Sequence, residues 1–334
     1  MSGGLDPGPA PLGGRVLPAL RPAARAWRTG YAAPVLTLLA LTLSVAVFSP
    51  SFISPRSLAI TADAVAPILL LALAETIVIL MGSIDLSVHA IASLASVAAA
   101  MLLTESWWLA APAGIAVGLL CGLTNGLFYT VARIPSFIAT LGTLGLWTGV
   151  SLTVTGASTV PISGRAGLID WLQTDTVGVP NTAILALATL ALVSVVLRLT
   201  PLGRYVYAIG IGESATWLSG VPVRRYKLLA FALSGTCAGL AGIVLAAQVF
   251  SGGPSVANNL LLPAIAAVII GGTAITGGVG GAARTLIGSL IIIVARIGMD
   301  AASVDIFAQQ VVYGVVVILA VTLTIDRAKI VTIK

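Results

Sequence analysis

Charge is what this sequence has least of. Only 8% of its 334 residues are Asp, Glu, Lys or Arg, against about 25% in an ordinary soluble domain. Seventeen basic and eleven acidic side chains cannot hydrate the surface of a globule this long, so most of that surface must face hydrocarbon. Histidine occurs once, as His89, and cysteine twice, as Cys121 and Cys237. Neither a Cys/His metal cluster nor a disulfide framework fits those counts, and both cysteines read as small core residues in apolar runs. No G-x-x-x-x-G-K-[ST] loop and no G-x-G-x-x-G fingerprint is present, so the chain offers no nucleotide site, no cofactor site and no catalytic group of its own. A serine paired with His89 lacks any surrounding motif for hydrolysis. Energy for any work must come from a partner or from an ion gradient.

Long apolar stretches fill the rest. Hydrophobic residues make up 58% of the chain, and ten runs approach the ~20 residues that span a bilayer: 31–49, 58–81, 86–103, 109–131, 135–155, 181–199, 228–250, 263–282, 285–299 and 307–325. The expectation is an all-α integral membrane protein with about ten transmembrane helices over residues 31–327. The run 31–49 exceeds the roughly 7–15 residues of a signal h-region and is read as a retained first helix. Residues 1–30, with five prolines and four arginines, read as a disordered basic arm, and 328–334 as a short tail. Threading ten spans from an inside N-terminus leaves fourteen basic residues inside and two, Arg56 and Arg165, outside, with Arg296 near a helix end assigned to neither. That bias places both termini in the cytoplasm, and it accounts for the formal charge of +6 without nucleic acid.

Two connections are long. The outer loop 156–180 is polar and glycine-rich, with Asp170 and Asp175. The inner loop 200–227 is basic and carries its own helical signal: Gly212 leads in, Glu213 supplies an acid for the first turn, and Gly220 with Pro222 ends it. The resulting two-turn helix, with Ala215, Trp217, Leu218 and Ser219, either fits a partner's groove or lies flat on the bilayer. Ala74–Ala95 and Pro263–Ile287 resemble each other, each an apolar run, a glycine-containing break and a run of small residues.

Few polar residues fall at membrane depth. Asp85 and His89 are four apart, on one helical face, and Asp85 either caps the helix after it or lines a solute path. Asn125 and Gln248 could bind a polyol or tie helix to helix. Thr273 sits in Gly271-Gly-Thr-Ala-Ile-Thr-Gly-Gly-Val-Gly-Gly281, which reads as tight packing or as a broken helix lining a cavity.

Six segments in register resemble the permease subunits of bacterial ABC importers of the ribose and monosaccharide type. They are Gly82-Ser-Ile-Asp-Leu-Ser-Val88, Asn125-Gly126, Ile134-Pro-Ser-Phe-Ile-Ala-Thr-Leu-Gly-Thr143, Thr200-Pro-Leu-Gly-Arg-Tyr-Val-Tyr-Ala-Ile-Gly210, Ser219-Gly220, and Ala266-Ala-Val-Ile-Ile-Gly-Gly-Thr273 with Gly277-Gly278. The resemblance covers about 58–327. It implies the ABC importer permease fold in the bacterial inner membrane and a homodimer. It also implies a separate cytoplasmic ATP-binding subunit and a periplasmic or lipid-anchored solute-binding protein. By the same resemblance the helix around Glu213–Ser219 is the coupling helix. Trp217 stands where a basic residue is expected, His89 where glycine is usual, and Gly212 where Asn is common. Related permeases also carry nucleosides or amino acids, so the solute is left open. The contrasting expectation is a gradient-driven transporter or channel, for which Glu75, Asp85 and His89 are the titratable candidates.

Overall fold

A computed structural model describes residues 31–105, 107–162 and 167–324. The expected arm and tail lie outside the described residues. Thirteen α-helices occur among the described residues: α1 (Ala32–Phe48), α2 (Pro55–Ile79), α3 (Val88–Glu105), α4 (Trp107–Thr130), α5 (Ser136–Thr155), α6 (Gly167–Leu172), α7 (Asn181–Leu199), α8 (Pro201–Ile211), α9 (Glu213–Leu218), α10 (Val223–Val249), α11 (Leu261–Ile270), α12 (Ala282–Ala301) and α13 (Ile306–Thr324). Six of them, α2, α4, α5, α7, α10 and α12, are long and apolar enough to cross a membrane, and α1, α3, α11 and α13 are shorter apolar helices. The all-α architecture stands, but the apolar run 263–282 is not one helix. It ends at Ile270, and residues 271–281 form a non-helical connection before α12.

Two helices form the centre. Ser54 accepts the Ser57 N–H, and Pro55 occupies the first turn of α2, where its missing N–H costs nothing. Every residue of α2 from Val65 to Ile79 is buried, as a helix that is apolar all round should be. α10 packs on α4, α3 and α2. Its approach to α4 depends on glycine: a Cβ on Gly118 would stand 2.3 Å from Gly235 O, and one on Gly122 would stand 2.2 Å from Phe231 O. With no Cβ in the way, the two backbones meet directly, the small-residue packing that lipid favours. α1 lies on α12, joined through Val45, Phe52 and Val294. Short connections therefore brought some neighbours together, such as α3 and α4, while the main contacts of α10 are distant in sequence.

Between α5 and α7, the described residues form two small antiparallel ladders. Val160–Pro161 pairs with Ser251–Gly252 just beyond α10, and Asp175–Thr176 pairs with Val179–Pro180.

Both glycine breaks share one turn. At the end of α2, Ser83 N–H donates to Val78 O (3.2 Å) and Gly82 N–H to Ile79 O (2.8 Å), with Gly82 at φ +73°. At the end of α11, Thr273 N–H donates to Val268 O (3.1 Å) and Gly272 N–H to Ile269 O (2.9 Å), with Gly272 at φ +93°. This is the Schellman closure, in which a left-handed residue satisfies the last carbonyls of a helix. The similarity between 74–95 and 263–287 thus has a counterpart in backbone geometry. The breaks also touch, since Gly278 N–H donates to Leu80 O at 2.9 Å.

Candidate functional site

Pro201 opens α8, and Gly212, extended at φ −174°, separates it from α9. Gly220 at φ +81° then turns the chain away, a conformation that costs glycine nothing. All seven residues expected in the coupling helix lie on α9 or immediately beside it. Trp217 is 65% exposed and Leu218 77%, so most of the apolar tip of this helix is left uncovered by the described residues. Between α9, the end of α4 and the start of α10 lies a recess of about 970 Å³ whose wall includes Arg133, Arg224, Tyr129 and Trp217.

α9 is wired into the bundle. Glu213 Oε1 accepts from Lys227 Nζ at 2.5 Å, and that ammonium sits 4.2 Å above the Tyr129 ring, where the ring's negative face attracts a cation. Tyr129 packs edge-on against Phe231, with ring centroids 5.7 Å apart, and its hydroxyl accepts from Ser83 Oγ at 3.1 Å. A continuous path of contacts therefore joins α9 to the break at 80–87. α8 bears on both breaks: a Cβ on Gly210 would lie 2.0 Å from Leu80 O and 2.4 Å from Gly278 N. Tyr207 Oη donates to Gly280 O at 3.0 Å, and burial pushes this phenol above its ordinary value, which keeps it a donor.

Asp85 is fully buried in the first break. Its Oδ1 accepts from Ser87 N–H (2.9 Å) and Ser87 Oγ (2.7 Å), so it caps the approach to α3 as an Asx turn. Its Oδ2 accepts from Asn125 Nδ2 at 3.2 Å, and the same amide donates to Ser87 Oγ at 2.7 Å. The first turns of α5 hold the break from the other side, with Leu86 N–H donating to Thr140 Oγ1 at 3.1 Å and Ile84 N–H to Ser136 Oγ at 3.4 Å. Buried backbone donors in a broken helix are thereby satisfied, as hydrocarbon requires.

The five residues expected to line a path do not form one lining among the described residues. Asp85 and Asn125 meet in a bonded cluster. His89, buried on α3, has no partner at Nδ1. Thr273 fastens the second break, its Oγ1 accepting from Gly281 N–H at 3.3 Å. That break is packed tightly, backbone to backbone, against Gly210 and Leu80. Gln248 lies at the far end of α10, donating to Asp63 O at 2.8 Å. Sequence reasoning passed over Ser87, Thr140, Tyr129 and Lys227 as site residues, although the quoted segments contain Ser87 and Thr140. Glu75 lies beside this cluster: it is fully buried, close to the Asp85 carboxylate and backbone N–H, and neither carboxyl oxygen makes a well-formed hydrogen bond among the described residues.

The family model described as "Branched-chain amino acid transport system / permease component" matches residues 57–321. Similar proteins include the ribose import permease protein RbsC of Bacillus subtilis, 37% identical over 301 residues, covering 89% of this chain and 92% of that one. The probable ABC transporter permease protein YphD of Escherichia coli is 37% identical over 293 residues, 85% of this chain and 87% of its own. The xylose transport system permease protein XylH of Haemophilus influenzae is 32% identical over 325 residues, 78% of this chain and 86% of its own.

Proposed function

The chain belongs to the branched-chain amino acid transport system permease family, and on that premise we propose that it is the membrane-spanning subunit of an ATP-driven importer for a small sugar. Relatives named for ribose import and for xylose transport support the solute class. The observation that carries the mechanism is the contact path from an exposed α9 through Glu213, Lys227 and Tyr129 to Ser83 in the break.

In this reading a separate cytoplasmic ATP-binding subunit grips α9 by Trp217 and Leu218. Closure of the ATPase displaces α9 and α8 together. Gly210 presses on both breaks at once, and the Asp85–Ser87–Asn125 cluster passes the movement to α3 and α4. The protein itself does no chemistry. It binds, yields and recloses, alternating access to a path completed by a second copy of the chain. Arg133, Arg224 and Arg225 cluster at the α9 end, which by the positive-inside bias is the cytoplasmic side. A solute-binding protein then delivers from the opposite face.

The test is uptake of labelled ribose and xylose into proteoliposomes holding the permease, its ATPase and the binding protein. Uptake that needs internal ATP and survives a protonophore supports the proposal. Uptake that ignores ATP and collapses with the proton gradient overturns it in favour of a gradient-driven transporter, for which the buried Glu75 carboxyl and the unbonded His89 Nδ1 are the favourable observations.

A further inference from the structure

Far from α9, a second cavity opens between α2, α10, α11, α12 and α13, with a volume of about 380 Å³, inside the ~300–1,000 Å³ range of small-molecule sites. Asp63 on its wall is 17 residues along α2 from Leu80, which puts the cavity roughly 25 Å from the break. Its walls mix apolar surface from Pro67, Leu245 and Pro263 with polar groups from Asp63, Gln248, Arg296, Gln310 and Tyr313.

Those polar groups hold unspent hydrogen-bonding capacity. Asp63 accepts from Thr182 through Oδ1, which leaves Oδ2. Gln248 Nε2 donates to Asp63 O, and Gln310 Nε2 donates to Asn259 O at 3.4 Å, which leaves both amide oxygens. Among the described residues, Arg296 has no ion pair or hydrogen bond, and the Tyr313 hydroxyl has no hydrogen bond. Tyr313 is within electrostatic reach of Arg296. Arg296 is exposed, Asp63, Gln248 and Gln310 are half-buried, and Tyr313 is buried, so these groups are accessible to a ligand that enters the cavity and can fix its orientation.

The set is balanced in two ways. The lining carries one carboxylate, Asp63, and one guanidinium, Arg296, and Asp300 is also within electrostatic reach of Tyr313, so an anion attracted by Arg296 meets negative charge. Acceptors and donors occur together, which suits hydroxyl groups, since each can both give and take a hydrogen bond. We propose that this cavity binds a neutral polyhydroxylated solute of monosaccharide size, held by Asp63, Gln248, Arg296, Gln310 and Tyr313, on the side of the bundle opposite α9. The choice of a sugar as that polyol rests on the import reading; the neutral, hydroxyl-rich chemistry rests on the cavity alone.

The experiment is equilibrium binding of ribose, xylose and inorganic phosphate to the full chain in lipid nanodiscs, without partners, for wild type, Arg296→Met, Gln310→Leu and Thr124→Ala, a half-buried position on α4 away from the cavity lining. The expected result is saturable sugar binding, weakened about tenfold or more in the two cavity variants and unchanged in Thr124→Ala. Thermal unfolding should be unaltered in each. If Arg296→Met fails to fold, Gln310→Leu and Arg296→Lys decide. No sugar binding by wild type, binding indifferent to the cavity variants, or phosphate binding in place of sugar overturns the proposal. ATP-driven uptake measured in parallel separates the two ideas. Uptake without cavity binding removes this site alone, and cavity binding without ATP-driven uptake removes the import reading alone.

Discussion

Lys227 Nζ meets Glu213 Oε1 at 2.5 Å, with the lysine side chain 8% exposed and the glutamate 52%. The pair spans the sharp turn at Gly220 and ties α9 to the base of α10. Being half in water, it contributes to stability by about 1 kcal/mol at most. Its consequence is mechanical. Lys227→Met should leave the melting temperature within a few degrees while reducing ATP-driven uptake severalfold, because α9 loses its link to Tyr129. Equal losses of stability and uptake would mean the pair only holds the fold.

The exposed tip of α9 is tested separately. Trp217→Ala removes a large apolar side chain that is 65% exposed, so monomer stability should not change. Buried aromatics dominate interfaces, and co-purification of the ATPase should fall at least tenfold. Gly220→Val forces a β-branched residue to φ +81°, which should displace α9 and give the same loss. Normal ATPase recovery with both variants would refute docking here.

Asp85 and Asn125 form an acceptor–donor pair at 3.2 Å. Asp85→Asn keeps the acceptor for Ser87 but turns an amide toward the Asn125 amide, leaving buried donors unmatched at a cost of about 1–3 kcal/mol. A lowered thermal midpoint in detergent is expected. The double swap Asp85→Asn with Asn125→Asp restores one donor and one acceptor and should recover much of the loss; no recovery would show that charge position, rather than bonding, is required.

Glu75 has neither carboxyl oxygen bonded and no exposure to water. An unpaired ion there would be expensive, so removing the option of charge should do no harm. Glu75→Gln is expected to fold and to support ATP-driven uptake within twofold of wild type. Abolished uptake with normal folding would instead place a titratable group in the transport cycle.

Gly118 faces the Gly235 carbonyl with room for no side chain, a Cβ there lying 2.3 Å from that oxygen, whereas Gly142 on α5 has nothing within 4 Å. Gly118→Val should cost several kcal/mol by forcing α4 and α10 apart, visible as loss of monodisperse protein. Gly142→Ala should leave the fold of the single chain intact.

Much of the architecture was legible in apolar run length, because hydrocarbon demands helices and helices need about 20 residues to cross. The limits of α9 were legible too, since Gly212, Glu213, Gly220 and Pro222 act locally through backbone dihedrals and the helix dipole. The spacing Gly114, Gly118, Gly122 and Gly126 was in plain view, yet a period of four glycines does not say which partner helix they face. The same holds for Asp85: a cap was readable from its position, but not the bond to Asn125, 40 residues away.

The sequence by itself determined that this chain lives in a membrane, roughly where most of its long apolar helices lie, and that a short helix sits between Gly212 and Gly220. Each of these follows from solvent preference and local stereochemistry. Only the tertiary structure decided that the run at 271–281 is a break packed against the one at 80–87. It also decided that α9 reaches Ser83 through Lys227 and Tyr129, that the expected path residues scatter among four places, and that the Glu75 carboxyl is buried beside Asp85. Those facts depend on which helices meet. In a bundle whose surface is uniformly apolar, contacts are chosen by shape and by a few buried polar groups, and such complementarity exists only once the helices are assembled.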